Sequence, residues 1–227
     1  MAKNFSKEEL ETDVLVTGYA KAIAFYKDHT LKIYLAIAAV ILVVGGGLAY
    51  YLITERNEAQ SQEMLAFAER YFEAGEYELA LFGNPDAGHA GLVDISNQFR
   101  RTSAGNIASY YAAVAEVRMG NYQEALIYIE RFNPPSGILG VGPVSLHASI
   151  LGSLSQYEEA ARMFERAANW DVNESTTPQN LLNAAQAYYE AGNYAKAKEL
   201  SQTIVKDFPD SPAVQSAKNL KGMLAVR

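Results

Sequence analysis

Few residues in this chain of 227 have the types that do chemistry, and their spacing decides what chemistry is open to them. The three histidines, His29, His89 and His147, stand far apart, without the His-x-x-x-His or Glu-x-x-His spacing that puts two metal ligands on one helix face. No metal site is expected. With no cysteine, a thiolate zinc site, a cysteine nucleophile and a disulfide framework are excluded together. The glycine-rich run Gly137-Ile138-Leu139-Gly140-Val141-Gly142 lies between Pro134-Pro135 and Pro143 and lacks the lysine of a phosphate-binding loop, so it reads as a linker between helices. Glu158 and Glu159 open a helical stretch, where negative charge suits the helix dipole. No catalytic constellation emerges, so no enzyme and no cofactor are expected.

The elements that carry these residues begin with a sharply apolar one. From Ile33 to Ile53, IYLAIAAVILVVGGGLAYYLI, no Asp, Glu, Lys, Arg or His occurs. At about 1.5 Å per residue the run reaches roughly 30 Å, the hydrocarbon thickness of a bilayer. It predicts a transmembrane helix over 33–53. A cleaved signal peptide starts nearer the N-terminus and is shorter. Tyr34 at one end and Tyr50-Tyr51 at the other stand where interfacial rings belong. Lys21, Lys27 and Lys32 precede the run, whereas Thr54 to Ala68 holds only Arg56; this bias favours a cytoplasmic N-terminus, with the C-terminal bulk then facing the periplasm. Gly45 and Ala49 form a small-xxx-small pair that suits close contact with another helix, although glycine is common in membrane helices generally.

Residues 1–32 form an N-terminal segment with helical signals. Ser6-Lys7-Glu8-Glu9 has capping-box spacing, and Phe5 with Leu10 is placed as a hydrophobic staple. Val16, Tyr19, Ile23 and Tyr26 recur at helical spacing, which predicts an amphipathic stretch lying on the membrane surface or against a partner. Acidic and basic residues cancel here, so the entire net charge of −7 falls on residues 54–227. That sign excludes a protein devoted to gripping nucleic-acid phosphates.

Residues 54–227 repeat themselves. Gly75-Glu76-Tyr77-Glu78-Leu79-Ala80 returns as Gly120-Asn121-Tyr122-Gln123-Glu124-Ala125, Ser155-Gln156-Tyr157-Glu158-Glu159-Ala160 and Gly192-Asn193-Tyr194-Ala195-Lys196-Ala197. Each phrase separates two helical stretches. The glycine permits a left-handed turn, the tyrosine packs across the pair, and the alanine lets the second helix approach closely. After Ala80, Gly83-Asn84-Pro85-Asp86-Ala87-Gly88 breaks the second helix of the first pair early, and an irregular insertion to about Gly91 follows.

These phrases resemble the tetratricopeptide repeat, with Ala185, Tyr188, Gly192, Tyr194, Ala197 and Pro209 of the last unit at that family's spacing. The resemblance implies an all-α solenoid of about four helix hairpins, the first degenerate, with a concave wall of first helices that binds proteins. Carried over by position, the wall includes Tyr110, Val114 and Arg118 in the second repeat and Gln186, Tyr189 and Glu190 in the fourth. The tyrosines equally suit the core between helices. The lysine and asparagine clamp with which some members hold a terminal carboxylate is missing, since Tyr110, Ser145 and Leu182 stand at its basic site.

A further resemblance covers most of the chain. The stretch Phe25-Tyr26-Lys27-Asp28-His29, one span, Tyr50-Tyr51, and then Ala104-Gly105-Asn106, Ala167-Ala168-Asn169 and Thr177-Pro178 are similar to the YfgM-type ancillary subunit of the bacterial Sec translocon in its Bacteroidota-like form. This implies a single-pass inner-membrane protein whose periplasmic repeats link exported chains to chaperones. Its partners would be translocon subunits, chaperones or exported chains, with no nucleic acid and no small-molecule substrate. A structural accessory subunit of another inner-membrane complex is the alternative.

Overall fold

A computed structural model of the chain describes the backbone of residues 7–225 and the side chains of residues 17–225. The Ser6 capping box, the Phe5–Leu10 staple and the side chain of Val16 lie outside the described residues. Helix dominates, and among the described residues the sole strand-like feature is an isolated bridge between Asn84 and His89. One compact unit ends at Arg56 and a second begins at Asn57.

The first unit is built from α1 (Lys7–Glu73), whose residues up to Arg56 belong to it. His29 interrupts the helical dihedrals with φ −121° and ψ 18°. Its ring stacks on Phe25 with centroids 4.6 Å apart, and the hydroxyls of Tyr26 and Tyr34 lie 2.8 Å apart across the break. The apolar run 33–53 is helical throughout and long enough to cross a bilayer, and its side chains are unburied; Leu42 and Val43 are each 75% exposed.

The second unit pairs its helices around four turns of one design. The first pair is the end of α1 with α2 (Tyr77–Phe82). After α3 (Leu92–Gln98) come α4 (Ser103–Met119) with α5 (Tyr122–Arg131), α6 (Ile138–Ser153) with α7 (Tyr157–Trp170), and α8 (Thr177–Glu190) with α9 (Tyr194–Asp207). A closing helix, α10 (Ala213–Leu224), packs on α9 and α8. Each second helix begins at the repeated tyrosine. The residue two places earlier takes a left-handed conformation every time: Gly75 at φ 77°, Gly120 at 83°, Ser155 at 61° and Gly192 at 80°. Paired backbone bonds close each turn, as in Gly192 N–H to Tyr189 O (3.0 Å) with Asn193 N–H to Tyr188 O (2.8 Å), the Schellman pattern that satisfies otherwise orphaned carbonyls. Four residues into each turn's second helix, Ala80, Ala125, Ala160 and Ala197 are fully buried, which explains why no larger side chain stands there.

The core is correspondingly small-grained. Alanine from successive helices (Ala112, Ala113, Ala148, Ala161, Ala185, Ala217) alternates with Leu81, Ile95, Ile129, Ile150, Ile204 and Leu220. Short side chains bring helix axes close, and the branched ones fill the intervening space.

The early break in the first pair is present: α2 has six residues and ends at Gly83, and a 3-10 turn at Pro85–Ala87 follows. At Gly83 φ is 81° and any Cβ would run into the backbone from His89 to Gly91, so glycine alone fits.

The glycine-rich run departs from its expected role as a linker. Ile138 to Gly142 form the first turns of α6, and Pro143 continues it. Its low helix propensity is overridden by packing. Gly140 is buried, and a Cβ there would land on the carbonyl of Pro135 and the indole nitrogen of Trp170, which are themselves joined by a 3.0 Å hydrogen bond. The glycine lets the end of α7 close over the start of α6.

Candidate protein-binding grooves

The expected wall residues fall in two places. Tyr110, Val114 and Arg118 recur at i, i+4 and i+8 along one face of α4. Tyr110 is half-buried, its ring 5.2 Å from that of Phe132 and 6.1 Å from that of Tyr111, and burial pushes its phenol above the ordinary tyrosine pKa. Arg118 is exposed in the last turn, where its charge complements the helix dipole.

Gln186, Tyr189 and Glu190 come together on α8. With Ser216, Asn219, Leu220 and Met223 of α10 they line an open groove of about 560 Å³. Tyr189 leans on Tyr194 with ring centroids 5.6 Å apart, while Gln186 and Glu190 are exposed. The groove has two amide side chains, a hydroxyl, one carboxylate and an apolar strip of Tyr189, Leu220 and Met223. This combination serves peptide backbone along with apolar side chains. The α10 contribution escaped the sequence reading, although Ala213, Ala217, Leu220 and Leu224 are buried at helical spacing and could have revealed the helix.

A second cleft of about 590 Å³ lies between α5, α6 and α7, floored by Leu126, Leu151 and Met163 with Glu130, His147 and Arg166 around it. Burial depresses the pKa of His147; Arg166 acts in the same direction and Glu130 opposes it.

Gly45 and Ala49 lie one turn apart on α1, both exposed, and a Cβ added at Gly45 would meet nothing within 4 Å. Among the described residues no three His, Asp or Glu side chains converge as a metal would require.

Comparison with known proteins agrees with this geometry. Residues 153–220, from the end of α6 into α10, match the tetratricopeptide repeat family. Two crystal structures of nearly identical TPR-like repeats from Podosopora anserina, assigned to a kinesin light chain, superpose with a TM-score of 0.52 at 14% sequence identity. Each similarity covers 74% of this chain, with 86% and 87% of the respective other chains. No curated protein matches the chain. The fold is an all-α, TPR-like solenoid, an architecture whose repeats serve as protein-interaction modules.

Proposed function

We propose that this chain is a membrane-anchored protein-interaction module, an ancillary subunit of the Sec translocon whose periplasmic repeats link exported chains to chaperones. Binding, not catalysis, is its work. The observation that carries the binding role is the α8–α10 groove, where polar side chains able to donate and accept hydrogen bonds flank an apolar strip. The run 33–53 supplies the anchor. Tethering holds the repeats at the membrane and raises their effective concentration beside a partner without any new contact. Assignment to the translocon rests on the resemblance in residues 25–29, 50–51, 104–106, 167–169 and 177–178.

Affinity purification of the full chain in mild detergent, with a photo-crosslinking amino acid at position 189, tests this reading. Recovery of the translocon core, with crosslinks from the groove to a chaperone or an exported chain, supports it. Recovery with a different inner-membrane complex supports the structural-accessory alternative. Protease digestion of the repeats in spheroplasts but not in intact cells is the expected topology, and protection in both would overturn the periplasmic placement.

A further inference from the structure

Within the first unit, the residues between Thr17 and Ile33 have an exposed face that, among the described residues, is met only at Tyr26, by Tyr34. Tyr19, Ala22, Ile23 and Tyr26 recur at i, i+3, i+4 and i+7, on one side of α1, and Tyr19 is 71% exposed. Lys21 and Asp28 stand on the opposite side, and Lys27 flanks the apolar face. Phe25 falls outside that face and stacks on His29 instead. The charge here differs from that of the chain as a whole: residues 17–28 hold two lysines and one aspartate, a balance of +1 on a protein of net −7, and Lys32 follows beyond the break.

The helix break falls at His29, four residues before the apolar run starts. A continuous straight helix would carry the amphipathic segment away from the bilayer along the axis of the span. The break supplies a joint where the direction can change, and the Tyr26–Tyr34 hydroxyl pair bridges it at 2.8 Å. Both tyrosines then sit at the polar edge of the run, where amphipathic rings are stable.

We infer that residues 17–28 lie in the plane of the lipid headgroups, with Tyr19, Ile23 and Tyr26 toward the acyl chains and the lysines toward anionic headgroups. Two features single out lipid as the occupant. The face is continuous with an apolar run of bilayer length, and its flanking charge is opposite in sign to an anionic leaflet. The inference rests on the membrane-anchored reading of 33–53.

Because the chain has no cysteine, single cysteines can be introduced and spin-labelled directly. The full chain is reconstituted into vesicles of phosphatidylcholine and phosphatidylglycerol, with labels at Tyr19→Cys, Ile23→Cys, Lys21→Cys and Asp28→Cys, and at Val40→Cys within the run. The readout is the ratio of collision rates with oxygen and with a water-soluble nickel chelate. Labels at 19 and 23 are expected to show a ratio several-fold above those at 21 and 28 but below that at 40. Equal, water-like ratios at 19, 21, 23 and 28 with a deep label at 40 would overturn the surface helix and leave the anchor standing, as would ratios at 19 and 23 equal to that at 40. A water-like ratio at 40 would overturn the anchor and this inference together.

Discussion

The hydroxyl of Tyr188 donates a 2.6 Å hydrogen bond to Oε1 of Glu165, tying the first helix of the last repeat to the second helix of the repeat before it. Tyr188 is buried to 4% exposure, so the phenol supplies both apolar packing and the single directional bond it needs at its tip. In a stacked-hairpin architecture the interface between neighbouring repeats decides whether they fold as one unit, and this pair spans such an interface.

Tyr188→Phe keeps the ring and removes the bond. It should cost about 2 kcal/mol of unfolding free energy, the usual worth of a hydrogen bond to a charged group. Burial first, then the Glu165 carboxylate, hold the phenol pKa far above its ordinary value of 10.0. A raised pKa means that the folded state keeps a proton which the unfolded chain gives up, so this contribution is whole below pH 10 and declines above it. Denaturant titrations of a fragment beginning at Asn57 should show a shallower alkaline decline in Tyr188→Phe than in the parent, and parallel declines would refute the linkage.

Ser155 alone among the four turn residues has a side chain in the left-handed region. Such a conformation costs a non-glycine residue roughly 1–2 kcal/mol, part of which glycine returns through its freer unfolded chain. Ser155→Gly should therefore stabilise the unit by about 0.5–1 kcal/mol, and Gly192→Ala should destabilise it by about 1–2 kcal/mol. Chemical denaturation midpoints measure both, and a fall with Ser155→Gly would contradict the strain argument.

The repeated turns were readable because each rests on neighbouring residues: a residue at positive φ, glycine in three turns and Ser155 in the other, a tyrosine two places on and an alanine three beyond that. Adjacent backbone geometry follows the same rule, with Glu76, Asn121, Gln156 and Asn193 all near φ −85° and ψ 65°. The start of α6 was not readable. Its glycines weaken a helix locally, and the partners that hold it, Pro135 and Trp170, lie 35 residues apart. The α10 half of the groove was hidden for another reason: α10 begins after Pro212 and carries no copy of the repeated phrase.

The Gly140 contact can be tested alone. Gly140→Ala favours helix by intrinsic propensity, by about 1 kcal/mol. The added methyl would nevertheless collide with Pro135 and Trp170. The net effect should be destabilising by about 2 kcal/mol, with a red-shifted emission from the chain's single tryptophan as the ring is displaced. A more stable variant would show that the close approach is dispensable.

His147 should make stability sensitive on the acid side. Its pKa is lowered chiefly by burial, so the unfolded chain takes up a proton near pH 6.5 that the folded state refuses. The contribution is complete above that pH and is lost as pH falls from 6.5 through the lower folded value. His147→Gln should flatten this part of the stability profile, read from thermal unfolding between pH 7 and pH 5, while an unchanged slope would place the acid sensitivity elsewhere.

Tyr110 and Tyr189 separate core from groove. Tyr110 packs against Phe132, and its ring fills space between α4 and α5, so Tyr110→Ala should act mainly on stability, costing about 3 kcal/mol. Tyr189 also touches Tyr194, yet it lines the open groove with Gln186 and Glu190. Tyr189→Ala should cost less stability and weaken partner binding about tenfold or more, as loss of an aromatic anchor does. Binding measured per folded molecule in the two variants decides the matter. If Tyr110→Ala loses affinity while Tyr189→Ala retains it, the binding surface lies on α4 and not between α8 and α10.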